Sequence, residues 1–284
     1  MKSYKIKKMR IGIIKYIFMI ALVSFTAMPL VYLVCTAFKP LDELFVFPPR
    51  FFVRHPTLAN FSDLLTVMDN SSVPFSRYFF NSALVSLLSV ILTILVCTIG
   101  AYSLTKLRLP YKKLIFSVIV AALMFSAPVA QISNFIIINK LKMVNTYWAL
   151  IVPKIASAYY FFLIRQNMLE IPDALLEAAR IDGCGPIRSF FNIVLPLSRP
   201  VMATVAVFAF VANWNDYYSP LIYINDETLK TLPLALQALQ GGVGQVVRSG
   251  AFAASALLTT APVIIVFVIM QSKVVKTMAH TGIK

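Results

Sequence analysis

Long apolar stretches separated by short polar segments dominate the hydrophobic pattern of the chain. A transmembrane helix needs about 20 mostly apolar residues, because each residue rises about 1.5 Å through a hydrocarbon core about 30 Å thick. Six stretches are long enough: Tyr16–Phe38, Tyr78–Thr105, Leu114–Asn139, Met143–Ile164, Pro200–Asn225 and Ala251–Ser272. Two of them contain one charge each, Lys154 in the fourth and Asp216 in the fifth. The pattern predicts an all-α membrane protein with six transmembrane helices.

The composition supports this fold class and excludes others. Of the 284 residues, 59% are hydrophobic and 13% charged, with a mean hydropathy of +0.80, whereas a soluble domain is about 45–50% apolar and about 25% charged. A soluble enzyme is therefore excluded. The net charge of +15 would indicate nucleic acid in a soluble chain. Here the basic residues lie between apolar stretches, so we expect membrane lipid around the protein and no nucleic-acid partner.

The basic residues also predict the orientation of the chain. If the amino terminus lies inside, 17 of the 26 Lys and Arg residues are cytoplasmic, in agreement with the positive-inside rule. We therefore expect a basic cytoplasmic tail at 1–15, a membrane domain at 16–272 and a second cytoplasmic tail at 273–284. The first span is longer than the 7–15 apolar residues of a signal peptide. We interpret it as a retained anchor in a bacterial cytoplasmic membrane.

Catalytic and metal-binding chemistry is not indicated. Three cysteines (35, 97 and 184) and two histidines (55 and 280) lack the number and spacing of a disulfide framework or a metal site, so we predict no metal and no cofactor. The chain contains no Gly-x-x-x-x-Gly-Lys-Ser/Thr motif, which would bind the phosphates of ATP. We therefore predict a protein that is not an enzyme and that depends on a partner for energy.

The cytoplasmic segment between the fourth and fifth spans contains the most specific signals. Pro172 and Asp173 are typical of a helix start, and Gly183 is suited to a helix end. Pro186 begins a second short helix that we expect to stop at Pro196. The segment is thus predicted to be a helix–turn–helix that docks another protein.

This segment resembles the EAA loop of permease subunits of ATP-binding-cassette importers. The similarity lies in Glu177-Ala178-Ala179, then Gly183 after three residues, then Ile193-Val194-Leu195-Pro196 after nine more. The resemblance implies that 168–197 is a coupling loop and that Glu177–Pro196 transmits the movement of a separate ATPase. The residues assigned to coupling are Glu177, Ala178, Ala179, Asp182, Gly183, Ile193, Leu195 and Pro196.

Other motifs resemble the MalG-type subunit of carbohydrate importers. They are Asn213-Trp214-Asn215-Asp216 in the fifth span, Thr231-Leu232-Pro233 after it, and Pro262 and Gln271 in the sixth. The resemblance implies three kinds of partner: a second, homologous permease subunit, a dimer of ATPase subunits and an extracytoplasmic sugar-binding protein. This chain would form half of the path for a di- or oligosaccharide. The glycine-rich residues 241–244 would either contact the binding protein or form a connector.

Polar residues within the fifth span are candidates for the translocation pathway. Asn213, Asn215, Asp216 and Tyr217 could offer hydrogen bonds and an aromatic face to a sugar. An equally open interpretation is that Asp216 and the asparagines lie at the membrane interface, or cap a helix break before Pro220. A charge at the bilayer centre costs at least ~2.5–3.5 kcal/mol, and the depths of Asp216 and Lys154 allow them to pair.

Two alternative functions stay open on the sequence. The first is an importer permease for another solute, such as a glycerol phosphodiester or a sugar phosphate, although Lys154 is the only basic residue within the spans to recognise a phosphate. The second, in a different class, is a self-contained secondary transporter. Such transporters contain repeated halves with paired broken helices, and no repeat is found in this chain.

Overall fold

The computed structural model of the protein describes residues 2–69, 73–125, 127–240 and 249–281. Every element of secondary structure within those residues is helical, which confirms the prediction of an all-α protein for this part of the chain. The chain divides into two compact units. One comprises Met1–Ser71 with Gln240–Thr260, and the other Ser72–Leu239 with Ala261–Lys284.

The first unit begins with a long apolar helix, α1 (Lys2–Ala37). Two further helices, α2 (Leu41–Leu44) and α3 (Ala59–Asp69), lie in the segment 39–77. The segment is rich in Pro, Phe and polar residues, so the sequence predicts an external connecting loop that does not span the membrane, and the structure forms two short helices within it. In α3, Leu64 and Met68 are four residues apart and both are buried, so the segment buries a helical stripe too short to read as a span.

Side-chain hydrogen bonds hold the chain between α1 and α3. The Nδ2 atom of the buried Asn60 donates to the carbonyl oxygens of Ala37 at 2.9 Å and Lys39 at 2.7 Å. These carbonyls belong to the last residue of α1 and to the chain just after it, where no intrahelical donor is available. The carboxylate of Glu43 accepts the backbone N–H of Arg54 at 3.0 Å. That hydrogen bond is the main reason why the pKa of Glu43 is below its ordinary value.

The second unit is built around α4 (Phe75–Lys106), which packs against α7, α8 and α11. The helices that follow α4 in the chain are α5 (Lys112–Ala122), α6 (Ala127–Lys140), α7 (Tyr147–Ile155), α8 (Ala158–Leu169), α9 (Asp173–Ile181), α10 (Pro186–Leu197), α11 (Arg199–Trp214), α12 (Tyr218–Tyr223), α13 (Leu232–Gln240) and α14 (Ser249–Thr281). The last of these runs through both units.

One face of α4 consists of small residues spaced three or four apart. All of them are buried: Ser82, Ser86, Ser89, Thr93, Cys97 and Ala101. Residues at this spacing share one side of a helix, and small side chains allow neighbouring helices of a membrane protein to approach closely. At Gly100 the approach is tight, since a Cβ atom there would lie 3.3 Å from the ring of Phe161 in α8. The helices of the predicted fourth span, α7 and α8, therefore pack against a face of α4 that is made of small, mostly polar residues.

The number of membrane-length helices is three to five within the described residues. Ile14–Ala37 of α1, the whole of α4, and Ser249–Gln271 of α14 are each long and apolar enough to cross a membrane. Two bent pairs also qualify, α7 with α8 at 40° and α10 with α11 at 73°. The predicted third span, 114–139, divides into α5 and α6, neither of which is long enough to cross alone.

Gly250 tests the packing within the first unit. A Cβ atom at this position would lie 2.2 Å from Oδ1 of Asn60, so the Asn60 side chain must move and lose its hydrogen bonds to Ala37 and Lys39. We expect Gly250→Ala to lower the free energy of unfolding by about 1–3 kcal/mol, measured by thermal unfolding in detergent. In an Asn60→Ala background the same substitution should cost much less. An equal cost in both backgrounds would contradict this packing.

Candidate functional site

Helix α9 has the start and the end that the sequence predicts. It follows Pro172, begins at Asp173 and ends before Gly183, whose φ of 80° lies in the left-handed region. The N–H of Gly183 donates to the Arg180 carbonyl oxygen at 3.0 Å, and the N–H of Cys184 donates to that of Ala179 at 2.8 Å. This pair of hydrogen bonds is a Schellman motif, which glycine adopts without steric cost. The glycine thus fixes the direction of the turn into α10.

Helix α10 differs from the predicted second helix at its end. It begins at Pro186, contains a π-helical turn at Phe190–Val194, and continues through Pro196 to Leu197. The prediction that Pro196 stops the helix is wrong. A proline normally ends a helix because it lacks the N–H that would bond to the preceding turn. Here Pro196 lies in the first turn after the π-helical segment, where that N–H is not needed. The 73° bend into α11 therefore follows Pro196.

The two helices are attached to the end of α4. Leu176 of α9 and Phe190 of α10 belong to the same buried apolar cluster as Tyr102 of α4. The hydroxyl of Tyr102 donates to the carbonyl oxygen of Pro186 at 2.9 Å, and its ring lies 5.1 Å from that of Phe190. The segment is therefore packed against α4 rather than suspended between α8 and α11.

A buried lysine makes a second attachment at the same place. The side chain of Lys106, which is 4% exposed, places Nζ 2.7 Å from Oδ1 of Asp173 and 2.6 Å from the carbonyl oxygen of Ile171. The hydrogen bond from Lys106 holds the pKa of Asp173 below its ordinary value. The sequence predicts neither Tyr102 nor Lys106 as a site residue, because no local pattern links the end of one span to a loop 65 residues later.

The predicted coupling residues divide between an exposed and a packed set. Glu177, Ala178, Asp182 and Gly183 are exposed. Ala179 is buried, and Ile193 and Leu195 pack against the apolar cluster, with Pro196 half-buried beside them. Two large apolar side chains that the sequence did not single out are also exposed, Ile181 at 88% and Ile187 at 75%. We name the exposed residues 177, 178, 181–183 and 187 the loop surface.

The predicted fifth span is interrupted at Asp216. Helix α11 ends at Trp214, and α12 begins at Tyr218, so residues 200–225 do not form one continuous helix. Oδ1 of Asp216 accepts the N–H groups of Tyr218 and Ser219, both at 3.0 Å. This is the geometry of a carboxylate that caps a helix start, and it agrees with the interpretation that Asp216 caps a break before Pro220.

Asp216 also forms the predicted ion pair. Its Oδ2 atom lies 2.6 Å from Nζ of Lys154, and the two side chains are 17% and 22% exposed. One oxygen of the carboxylate therefore caps α12 while the other neutralises the lysine. Lys154 is placed by a second helix break, between α7 and α8, next to Pro153.

Two side chains of α4 compensate the break between α7 and α8. Oγ1 of Thr93 donates to the carbonyl oxygen of Lys154 at 3.2 Å. The Sγ atom of Cys97 lies 3.8 Å from the carbonyl oxygen of Ile155 and 3.7 Å from that of Ser157. A broken helix within a membrane protein is tolerated where neighbouring side chains satisfy the freed carbonyls, and the small-residue face of α4 does so here.

A cavity of about 430 Å³ adjoins the ion pair. It is lined by Ala130, Pro153, Lys154, Ser157, Tyr160, Ala212 and Asn213. Of the four predicted pathway residues, the structure places Asn213 in the wall and Asp216 against Lys154, whereas Asn215 and Tyr217 are exposed and do not line it. The Nδ2 atom of Asn213 donates to the Ala209 carbonyl oxygen at 2.7 Å within its own helix. Ser157 and Tyr160 were not predicted, since the break that turns them inward is not evident from hydrophobicity.

Comparisons with known proteins show which family the chain matches. Residues 13–280 match the family described as binding-protein-dependent transport system inner membrane component. The sulfoquinovosyl glycerol transport system permease protein SmoH of Agrobacterium fabrum is 34% identical over 258 residues, which are 90% of this chain and 88% of that protein. The sn-glycerol-3-phosphate transport system permease protein UgpE of Pectobacterium atrosepticum is 34% identical over 202 residues, or 71% and 72% of the two chains.

A solved structure shares the fold. It belongs to a bacterial ABC transporter involved in the import of the acidic polysaccharide alginate, with a TM-score of 0.81 over 92% of this chain and 95% of that one. Its sequence identity of 19% limits the comparison to the fold.

The ion pair between Lys154 and Asp216 is open to a double-mutant cycle. Lys154→Met and Asp216→Asn each leave a partly buried charge unpaired, and we expect each to lower the free energy of unfolding by about 1–3 kcal/mol. Asparagine still caps α12, so the double variant removes both charges and keeps the cap. It should cost less than the sum of the two single variants in thermal unfolding of the purified protein. Additive costs would show that the two groups do not interact.

Proposed function

Because the chain belongs to the family of binding-protein-dependent transport system inner membrane components, we propose that it forms half of the translocation path of an ATP-binding-cassette importer for a di- or oligosaccharide. Family membership establishes the coarser statement, that the chain is a non-enzymatic permease subunit of an importer in the inner membrane. It also favours this class over a self-contained secondary transporter.

The coupling function is supported by one observation: the loop surface is exposed, while the loop itself is attached to α4. Exposed Glu177 lies on the same short helix–turn–helix as Ile181 and Ile187, whose apolar side chains are otherwise in water. Large exposed apolar side chains near charged residues are typical of a protein interface. The loop beneath them is fixed to α4 by Tyr102 and Lys106, so that a force on the loop surface reaches the membrane helices. We assign this surface to the ATPase subunits.

The proposed topology follows from the loop and the basic residues. We place α9 and α10 on the cytoplasmic side, with both termini there, in six spans at about 16–38, 78–105, 114–139, 143–164, 200–225 and 251–272. In this proposal α5 and α6 together form the third span, α7 with α8 forms the fourth, and α11 with α12 forms the fifth. The membrane domain is then 16–272, between the tail 1–15 and the tail 273–284.

The proposed complex contains two ATPase subunits, a second, homologous permease and an extracytoplasmic sugar-binding protein. The family description names dependence on a binding protein, which supports the last of these partners. The sequence-based hypothesis that 241–244 contacts the binding protein concerns residues outside those the structure describes. The end of the tail, 282–284, also lies outside them.

The proposed substrate path includes the cavity beside Lys154. Its polar groups are the hydroxyls of Ser157 and Tyr160 and the Asn213 amide, together with a lysine whose charge Asp216 balances at 2.6 Å. Uncharged hydrogen-bonding groups and an aromatic ring suit a neutral sugar. We retain Asn215 and Tyr217 as candidates for the outer end of this path because both are exposed beside the same helix break.

A phosphorylated or sulfonated solute is the second candidate. It is favoured by the names of two relatives, a sulfoquinovosyl glycerol permease and an sn-glycerol-3-phosphate permease. The ion pair between Lys154 and Asp216 argues against an anionic solute. The carboxylate neutralises the lysine, which cannot bind an anion unless Asp216 moves away. The two candidates can be distinguished by a competition experiment. Uptake of a labelled neutral oligosaccharide should not be inhibited by glycerol-3-phosphate if the substrate is a neutral sugar.

Gly183 tests the coupling function. A Cβ atom at Gly183 has open space around it, but φ of 80° is strained for alanine by about 1–2 kcal/mol. We expect Gly183→Ala to reduce ATP-driven uptake by roughly tenfold in the reconstituted complex, since a strained turn presents the loop surface in the wrong direction. Uptake per ATP hydrolysed is the measurement.

Gly185 provides the matched control. It too has open space around a Cβ atom, but its φ of −68° suits any residue. Gly185→Ala should therefore leave uptake unchanged, and Gly183→Asn should retain more activity than Gly183→Ala because asparagine tolerates the left-handed region. Normal uptake in Gly183→Ala and in the charge reversal Glu177→Lys would remove the coupling assignment.

Asp216 tests the path and the charge of its substrate together. Asp216→Asn keeps the cap of α12 but leaves Lys154 with an unbalanced charge beside the cavity. We expect sugar uptake to fall and inhibition of uptake by glycerol-3-phosphate to become stronger, measured with radiolabelled sugar in proteoliposomes. Asn215→Ala removes a polar side chain at the proposed outer end of the path without changing any charge, so it should lower sugar uptake but leave the inhibition by glycerol-3-phosphate unchanged. Unchanged rate and selectivity in Asp216→Asn would mean that the cavity is not on the path.

A further inference from the structure

A second polar cavity lies away from the proposed path, at the end of the second unit that holds Lys106. Its volume is about 450 Å³, and it lies between α4, α5 and α8. The lining residues are Leu104, Thr105, Lys112, Lys113, Phe116, Ser117, Arg165 and Leu169. Three of them are cations and none is a carboxylate. Neither coupling nor the substrate path makes use of this cavity.

Arg165 lies in the wall of this cavity, and no acidic residue in the part of the chain that the structure describes forms an ion pair with it. Its guanidinium carbon lies 3.7 Å from the centroid of the Phe116 ring, a cation–π contact. The Nε atom of Arg165 is buried and has no hydrogen-bond partner among the described residues. An arginine that contacts an aromatic ring and has an unused donor is suited to a phosphate oxygen.

The charges around the cavity do not cancel. Lys112 and Lys113 come from the start of α5, and Arg165 from α8. Asp173 is close enough to Lys112 for the lysine charge to help lower the pKa of its carboxyl group. This carboxylate does not neutralise the cavity, because it already forms an ion pair with Lys106 of α4 at 2.7 Å. The cavity therefore keeps a positive charge that attracts an anion.

An apolar surface continues from the cavity along α5. Leu114 and Val118 are 64% and 62% exposed, and α5 has no buried residue. The cationic cavity therefore lies at one end of the exposed apolar face of α5. An anionic phospholipid has the complementary order, a phosphate headgroup followed by acyl chains.

We propose that Lys112, Lys113 and Arg165 bind the phosphate headgroup of an anionic phospholipid, whose acyl chains lie along α5. The proposal rests on the topology proposed above, but it is independent of the transported substrate. The basic ends of α5 and α8 meet the headgroup region in the proposed topology, where polybasic segments attract anionic lipids. A bound lipid would seal the gap between α4, α5 and α8 and supply the acceptor for Arg165.

The experiment measures retained lipid on the purified protein. The protein is extracted from membranes that contain phosphatidylcholine and phosphatidylglycerol, washed in detergent and analysed by native mass spectrometry. We expect phosphatidylglycerol to be retained over phosphatidylcholine, and the double variant Lys112→Gln/Lys113→Gln to retain at least about tenfold less. Both lysines are exposed, so folding should be unaffected. Arg165→Lys, which keeps the charge but loses the planar group, should also weaken retention.

The matched control is Lys140→Gln/Lys142→Gln, which removes the same number of exposed charges at the carboxyl end of α6, away from the cavity. This variant should retain phosphatidylglycerol like the unmodified protein. Equal retention in the two double variants would overturn the proposal. Displacement of the lipid by millimolar inorganic phosphate would also overturn it, because the site would then bind a free anion rather than a lipid.

Discussion

The structure depends on the close packing of one face of α4. Small side chains from Ser82 to Ala101 let α7, α8 and α11 approach this helix. In lipid there is no hydrophobic force between helices, so packing and interhelical hydrogen bonds must hold them together. The face provides both, because Thr93 and Cys97 are small and also contact the carbonyl oxygens freed at the break between α7 and α8.

The same helix connects the loop to the cavity. Tyr102 and Lys106 hold α9 and α10 at one end, and Thr93 contacts the Lys154 carbonyl nearer the middle. Thirteen residues separate Lys106 from Thr93, or about 20 Å along the axis. A displacement of the loop must carry this end of α4 with it or break the hydrogen bonds of Tyr102 and the ion pair of Lys106. A coupling mechanism that moves only the two spans flanking the loop would therefore omit the helix to which the loop is attached.

Local signals explain what the sequence predicts correctly. Pro172, Asp173 and Gly183 determine α9 from positions near in sequence, and the long apolar stretches predict α1, α4 and α14. The predictions fail where a tertiary contact decides the structure. Asp216 divides the fifth span because its carboxylate caps α12 while it pairs with a lysine from another helix. The polar residues of the span indicate the cap and the pair as open interpretations, but the hydrophobic pattern alone gives one uninterrupted span. It also does not identify Tyr102, Lys106 or Tyr160 as site residues.

The two cationic regions of the second unit differ in one physical respect. Lys154 is neutralised by Asp216 at 2.6 Å, so the cavity beside it presents hydroxyl and amide groups rather than a net charge. Arg165, Lys112 and Lys113 line a cavity without a carboxylate in its wall. A partly buried charge such as that of Arg165 is costly unless it is paired. The first cavity contains its own counterion and can admit a neutral solute. The second is completed by an anion from outside the chain, and in a membrane the headgroups of anionic lipids supply that anion at high local concentration.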